Sequence, residues 1–391
     1  MLTEEARERL SSPGKGLGLF ATREPQRRRF DLPPGTLVVS ADSHYPLTQD
    51  IFYENFPKHL RDRATRVLWD DRAEFYQMYV DGKPIFEGDA IDVLKSMEDR
   101  PGSQNLTDRM KDLDAEGVDM EIVYPQVLSL FFKKPDYEAR EWTFRVYNRH
   151  LAEMQALQPD RFFPVPIGNY WDPQQCGAWV DELAKLGLKC VMLPLDPGAR
   201  ADGSPIFYSA AEYDPMWRAM EETGLPLSFH VGEQLDFSGG PASSAPTFMS
   251  NLGSSAFRRV FGELVFGHVF DRFPKLQVVF AEANINWVPG AIQDAEMMFN
   301  SHALMYEKRP KHRPTHYWFN NCYATFIADI VGLKMIDMIG RDRVMFSMDY
   351  PHNEGTFGYT QDALEAVVET ARDEDEIRAI VGGTAVKVYN L

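Results

Sequence analysis

The chain of 391 residues is 44% hydrophobic and 25% charged, with 13% aromatic residues, an ordinary globular composition long enough for one large domain or two smaller ones. Its formal charge of -17, from 41 basic and 58 acidic residues, argues against nucleic acid and anionic membrane as partners. Three widely spaced cysteines, Cys176, Cys190 and Cys322, with no CxxC pair, point to buried thiols in a reducing compartment rather than a disulfide framework.

Residues 1–36 contain SSPGKG, REPQRRRF and DLPPG with little periodicity. They read as an irregular N-terminal arm packed on the surface, with RRR at 27–29 as a solvated or interface cluster. The N-terminus is polar and lacks the apolar core of a secretion signal. No apolar run approaches the roughly 20 residues needed to span a bilayer. The expectation is a soluble, cytoplasmic protein with no membrane partner.

From residue 37 short β-rich runs alternate with longer helical patterns. The strand candidates are TLVVSA (36–41), MEIVYP (120–125), FFPVPIG (162–168) and KCVMLPL (189–195), then LPLSFHV (225–231), LQVVFAE (276–282), YWFNNCY (317–323) and RVMFSMD (343–349). Helix-like segments such as QCGAWVDELAKLG and DPMWRAMEETG lie between them and close on glycine, a common helix terminator. Parallel strands need such crossovers, and eight of them close a barrel. The predicted class is α/β: a (β/α)8 TIM barrel over 37–391 with an insertion after strand 1 and an irregular arm before it. The insertion, residues 45–105, is rich in aromatic and charged residues. Its Phe52, Tyr53, Phe56, Trp69, Phe75 and Tyr76 either wall an apolar substrate pocket or form the insertion's own small core. A second long connection follows strand 5, and its Gly/Ser-rich part at 237–245 reads as a mobile lid.

Side chains two apart on a strand share a face, so Asp42 and His44 of SADSH both point into the barrel mouth. His230 ends strand 5, Glu282 ends strand 6 and Asp349 ends strand 8. Taken singly, a strand-end histidine is often a packing residue and a strand-end aspartate a helix cap. Together, two histidines and three carboxylates in one mouth are costly unless paired or metal-bound. One divalent metal ion is therefore expected, Zn2+ first, with Mn2+ or Fe2+ compatible with so many oxygen donors.

These residues carry a recognisable pattern. SADSH, LPLSFHVGE, VFDRFPKLQVVFAEANINWVP, RVMFSMDYPHNEGTF and IVGGTAVKVYNL resemble the amidohydrolase superfamily, specifically the amidohydrolase-2 group of aminocarboxymuconate semialdehyde decarboxylase and its relatives. The resemblance runs from about residue 37 to 391. It implies a barrel with one divalent metal, held by Asp42, His44, His230 and Asp349, and a homodimer. Two departures stand out. The first-strand pair is commonly His-x-His, and here it is Asp-Ser-His. Where many relatives have a catalytic histidine at strand 6, this chain has Glu282.

A bound metal lowers the pKa of its water and polarises a carbonyl. Asp349 is then placed to shuttle a proton, Glu282 to act as a second acid/base or to hold a ligand, and His352 to reach the same pocket or to cap its loop. The remaining histidines, among them His59, His150, His268, His302, His312 and His316, read as structural. Two reactions on a small molecule follow, with an inactive binding barrel as a third reading. The first is hydrolysis of an amide, ester or related acyl bond in an aromatic or hydrophobic substrate. The second is non-oxidative decarboxylation of an aromatic or unsaturated acid. Glu282 should repel a substrate carboxylate unless an arginine such as Arg258 or Arg259 enters the mouth, so the sequence favours hydrolysis.

Overall fold

Eleven strands order the chain in a computed structural model: β1 (Val39–Tyr45), β2 (Arg66–Asp70), β3 (Phe75–Val80), β4 (Lys83–Pro84), β5 (Met120–Pro125), β6 (Phe162–Pro164), β7 (Val191–Met192), β8 (Leu227–His230), β9 (Val278–Ala281), β10 (Cys322–Phe326) and β11 (Val344–Phe346). The structure describes residues 31–391 except 88, 99, 127–131, 133, 135, 233–254, 283 and 307. Most of the N-terminal arm, its RRR cluster and the proposed lid at 237–245 lie outside the described residues.

Eight of these strands are parallel and form the barrel. Hydrogen-bonded ladders run β1-β5-β6 and β7-β8-β9-β10-β11. The two arcs join where Ile167 bridges Met192 and Gly168 N donates to Met192 O at 2.9 Å. At the other join, between β11 and β1, Asp349 N donates to Asp42 O and Met348 N to Ser40 Oγ, both at 2.8 Å. The fold is a (β/α)8 barrel, as the strand-helix rhythm predicts.

Helices packed on the barrel include α1 (Leu106–Glu116), α2 (Tyr137–Leu157), α3 (Cys176–Lys185), α4 (Asp214–Thr223), α5 (Ser255–Phe266), α6 (Val288–Ser301), α7 (Pro314–Asn321), α8 (Thr360–Thr370) and α9 (Thr384–Tyr389). Each presents one apolar stripe to the barrel. In α4 the stripe is Met216, Trp217, Ala219 and Met220, and the helix ends where Gly224 adopts φ 73° and returns its N–H to Met220 O. Burying a large side chain of this kind is worth roughly 1.5–3 kcal/mol, so the helix-barrel layer supplies the main cohesion. Phe280 stacks on both Phe229 and Trp318, its ring centroid 6.1 Å from each.

Two expectations change. In YWFNNCY only Cys322 and Tyr323 belong to β10, and Tyr317–Asn321 close α7. Pro314 at the first turn starts a helix there, and its aromatic run buries Tyr317 and Trp318. The insertion divides between two surroundings. Its β2-β3-β4 antiparallel sheet carries a small core of Ala73, Phe75, Ile91 and Leu94, while Phe52 and Phe56 join the main core. Trp69 is 49% exposed and stands edge-on to Tyr76 at 5.4 Å.

Candidate metal centre

Six ionisable side chains meet at the C-terminal ends of the barrel strands. β1 supplies Asp42 and His44, β8 His230, the end of β9 Glu282, and the turn after β11 Asp349 and His352. The register between β1 and β5 slips between Ser40 and Ser43, a bulge that re-aims the strand just where Asp42 sits. Glu282 and Asp349 both have left-handed backbones, with φ 67° and 51°, a strain that recurs at functional sites. Thr325 Oγ1 accepts the Glu282 N–H at 2.9 Å and fixes that conformation.

The ring nitrogens point at a common space. His230 Nε2 lies 2.8 Å from Glu282 Oε2 and 3.4 Å from Asp42 Oδ1. His44 Nε2 lies 3.3 Å from Glu282 Oε2, 3.5 Å from Asp349 Oδ1 and 3.7 Å from Asp42 Oδ1. His352 stacks on His44 at 4.0 Å and brings Nδ1 to 3.0 Å from Asp349 Oδ1. His230 Nδ1 donates to Val231 O at 2.6 Å, which leaves the Nε2 lone pair facing the cluster. Asp42, His44, His230 and Glu282 form one group whose ligand atoms lie within 4.8 Å of one another, and His44, Glu282, Asp349 and His352 form another.

Both oxygens of Asp42 and of Asp349, His230 Nε2 and His352 Nδ1 are buried without an aligned hydrogen bond. Close approach without hydrogen-bond geometry is what lone pairs aimed at one point produce. Three carboxylates in so small a buried space would repel strongly. A divalent cation among them removes both costs, so the residues present fit such an ion.

The electrostatics follow the same crowding. Burial lifts Asp42 to about 6 and lifts Asp349 well above the ordinary carboxylate range. Burial, with His352 alongside, pushes His44 down to about 3. Burial opposes the charge on Glu282, but His230 beside it holds its carboxyl well below the usual range. Burial likewise opposes a charge on His352, and Asp349 overrides it, raising the imidazole to about 10.

The sequence places Asp42, His44, His230, Glu282 and Asp349 at the mouth and leaves His352 either in the pocket or capping its loop; the structure brings all six together. Arg258 and Arg259 are engaged elsewhere, Arg258 with Asp294 and the Trp287 carbonyl, Arg259 with Glu263 and the Leu195 carbonyl. His268 pairs with Asp271, and His312 stacks on His316, both away from the cluster. His316 lies in α7 rather than on strand 7.

Tyr124 was overlooked. Its buried ring lies 4.6 Å from that of His230, and its hydroxyl contacts Ser228 Oγ at 2.6 Å and the Tyr389 hydroxyl at 3.3 Å. Strand alternation in MEIVYP puts Ile122 and Tyr124 on one face and would have revealed it.

Comparison with known proteins agrees with this geometry. The family described as Amidohydrolase matches residues 96–391. The gamma-resorcylate decarboxylase of Rhizobium radiobacter is 26% identical over 266 residues, covering 62% of this chain and 76% of that protein. Among solved structures, an amidohydrolase from Mycobacterium avium subsp. paratuberculosis superposes with a TM-score of 0.75 at 20% identity, covering 91% of this chain and 100% of the other. A 5-carboxyvanillate decarboxylase from Novosphingobium aromaticivorans with bound manganese gives 0.67 at 20% identity, over 92% of this chain and 100% of that one. On the extent of the family match, the chain belongs to the amidohydrolase family and is an enzyme of that superfamily.

Proposed function

We propose that this enzyme is a metal-dependent, non-oxidative decarboxylase of a small aromatic carboxylic acid. The observation that carries the reading is the pairing of buried Asp349 with the partly exposed His352, 3.0 Å apart at the mouth of a carboxylate-rich site. The decarboxylases among its relatives support it. Asp42, His44, His230 and Asp349 would hold one divalent ion, with Glu282 close enough to both histidines to take part. Three carboxylates among the donors favour a hard ion, and the manganese bound by the 5-carboxyvanillate decarboxylase supports Mn2+ ahead of Zn2+. When bound, the ion draws charge from a substrate carboxylate and a neighbouring oxygen.

The protein's own groups do the rest. The Asp349 carboxylate, 3.0 Å away, favours a proton on the His352 imidazole against the burial that opposes its charge. His352 is the most accessible of the six, at 13% side-chain exposure, and offers a cation to an incoming acid. As the bond to CO2 breaks, its electron pair stays on the ring carbon and takes a proton relayed from the His352 imidazolium through Asp349, and solvent at the exposed edge of His352 returns that proton.

The sequence favoured hydrolysis because Glu282 should repel a carboxylate. His230 at 2.8 Å and His44 at 3.3 Å hold that charge within the cluster, and the objection weakens accordingly. The Mn2+-loaded enzyme, offered 2,6-dihydroxybenzoate and related hydroxybenzoates, is expected to release CO2 and the matching phenol in equal amounts. Turnover of aryl esters or amides without CO2 release from any aromatic acid would overturn the reading. A homodimer is proposed on family resemblance, and sedimentation velocity tests it. Three buried, unpaired cysteines support a reducing, cytoplasmic location.

A further inference from the structure

The turn after β11 carries Asp349 and His352, and each of its two intervening carbonyls is held by an arginine. Arg109 Nη2 donates to Tyr350 O at 3.4 Å, and Arg100 Nη1 donates to Pro351 O at 2.7 Å. Tyr350 O also accepts the His44 N–H at 2.7 Å. One carbonyl oxygen thus ties the segment bearing His44 to the segment bearing Asp349.

Arg109 is fully buried and pairs bidentately with Glu121, Nε to Oε1 at 2.6 Å and Nη2 to Oε2 at 2.8 Å. Its guanidinium lies 4.8 Å from the centre of the Tyr350 ring and 5.4 Å from that of Tyr45. Asp112, three residues on in α1, accepts the Tyr350 hydroxyl at 2.5 Å. A single turn of α1 therefore grips Tyr350 at its carbonyl, its ring and its hydroxyl.

Stability does not account for the Arg109–Glu121 pair. A buried ion pair usually contributes no more than apolar residues of the same size, because desolvation offsets the attraction. Its location has a better explanation. β1 and β11 share no ladder, and isolated hydrogen bonds close the barrel where the six side chains meet. Such a join leaves the spacing of the two halves of the site to whatever braces it from outside.

We propose that Arg109, oriented by Glu121 and assisted by Arg100, is a positioning residue that sets Asp349 and His352 against His44 across this join. The proposal rests on the metal reading above. Groups that orient a metal's surroundings typically change metal affinity about 10- to 100-fold when removed.

The test compares the full-length parent with the Arg109→Met/Glu121→Leu double variant and with Arg109→Lys, each loaded with Mn2+. Metal affinity and the Mn2+ electron paramagnetic resonance spectrum are measured beside thermal unfolding. The double variant, which removes both charges together, is expected to unfold near the parent's temperature. Its Mn2+ affinity should fall at least about tenfold, with a broadened spectrum. Arg109→Lys keeps the charge but loses the fork and should show a smaller change in the same direction. Should the double variant not fold, Arg109→Lys decides alone. Parental Mn2+ affinity and spectrum in a folded variant would overturn the proposal. A parent that takes up no Mn2+ would instead overturn the metal reading, and the brace with it.

Discussion

His44 is the residue on which the centre turns, since its Nε2 lies within 3.7 Å of three different carboxylates. His44→Ala should leave the circular dichroism spectrum unchanged while lowering retained Mn2+ and CO2 release by at least about 100-fold, the upper end of what losing a group that merely supports a ligand costs. Metal analysis after dialysis and a decarboxylation assay check this. Cys176 offers a test of a different kind. Burial pushes its thiol up from an ordinary 9.0 to about 11. Between those values the unfolded chain has lost the proton that the folded chain keeps, so the unfolded state binds fewer protons and stability falls as pH rises. Below pH 9 the contribution is fully present. Urea midpoints at pH 8 and pH 10.5 should therefore diverge more in the parent than in Cys176→Ala. Residues of this kind are partly legible in sequence. Strand alternation finds Asp42 and His44 from spacing alone, and the same rule applied to MEIVYP reaches Tyr124, which carries no charge to draw attention. Arg109 is hidden because nothing in LTDRMKDLDAE distinguishes it from a solvated arginine.

Among the elements, the loops after β9 and β10 determine how Glu282 is presented. Asp329 accepts four hydrogen bonds there, from the backbone N–H groups of Ile285, Asn286 and Gly332 and from the Asn286 side chain. Removing it leaves several buried donors unpaired at roughly 1–3 kcal/mol each, so Asp329→Ala should cost about 3 kcal/mol or more in chemical denaturation. The loop after β9 should loosen with it, read as faster amide exchange at Ile285 and Asn286. Strand-helix alternation made seven of the eight barrel strands legible, because a period of 2 and a period of 3.6 leave different apolar patterns. The eighth misled over Tyr317–Asn321, where aromatic residues with high β-propensity are claimed by a proline-initiated helix. The hairpin sheet of the insertion was missed because DDRAEFYQMYVDGK mixes charge and aromatics without clean alternation.

At the scale of the whole molecule, the count of eight strands alternating with helices and the superfamily pattern identify the barrel, while the choice of reaction depends on how charges neutralise one another in space. No local pattern reports that His230 lies 2.8 Å from Glu282. If the centre holds a cation, chelation should both inactivate and destabilise the protein, because a ligand at 100 times its dissociation constant adds about 2.7 kcal/mol to the folded state. EDTA is expected to lower the unfolding temperature, and Mn2+ to restore it. An unchanged temperature on chelation of metal-bearing protein would contradict this. Among the described residues no helix is long and apolar enough to cross a membrane.

The join between β11 and β1 also has a consequence in time. A ribosome delivers Asp42 and His44 first and Asp349 and His352 some three hundred residues later, so at typical rates of about 5–20 residues per second the two halves emerge many seconds apart. During that interval the nascent chain holds an unfinished cluster of carboxylates and imidazoles with nothing to balance it. Metal capture therefore becomes a late event, coincident with closure of the ring, and chains stopped short of residue 349 should bind Mn2+ poorly however much of their helical layer has formed.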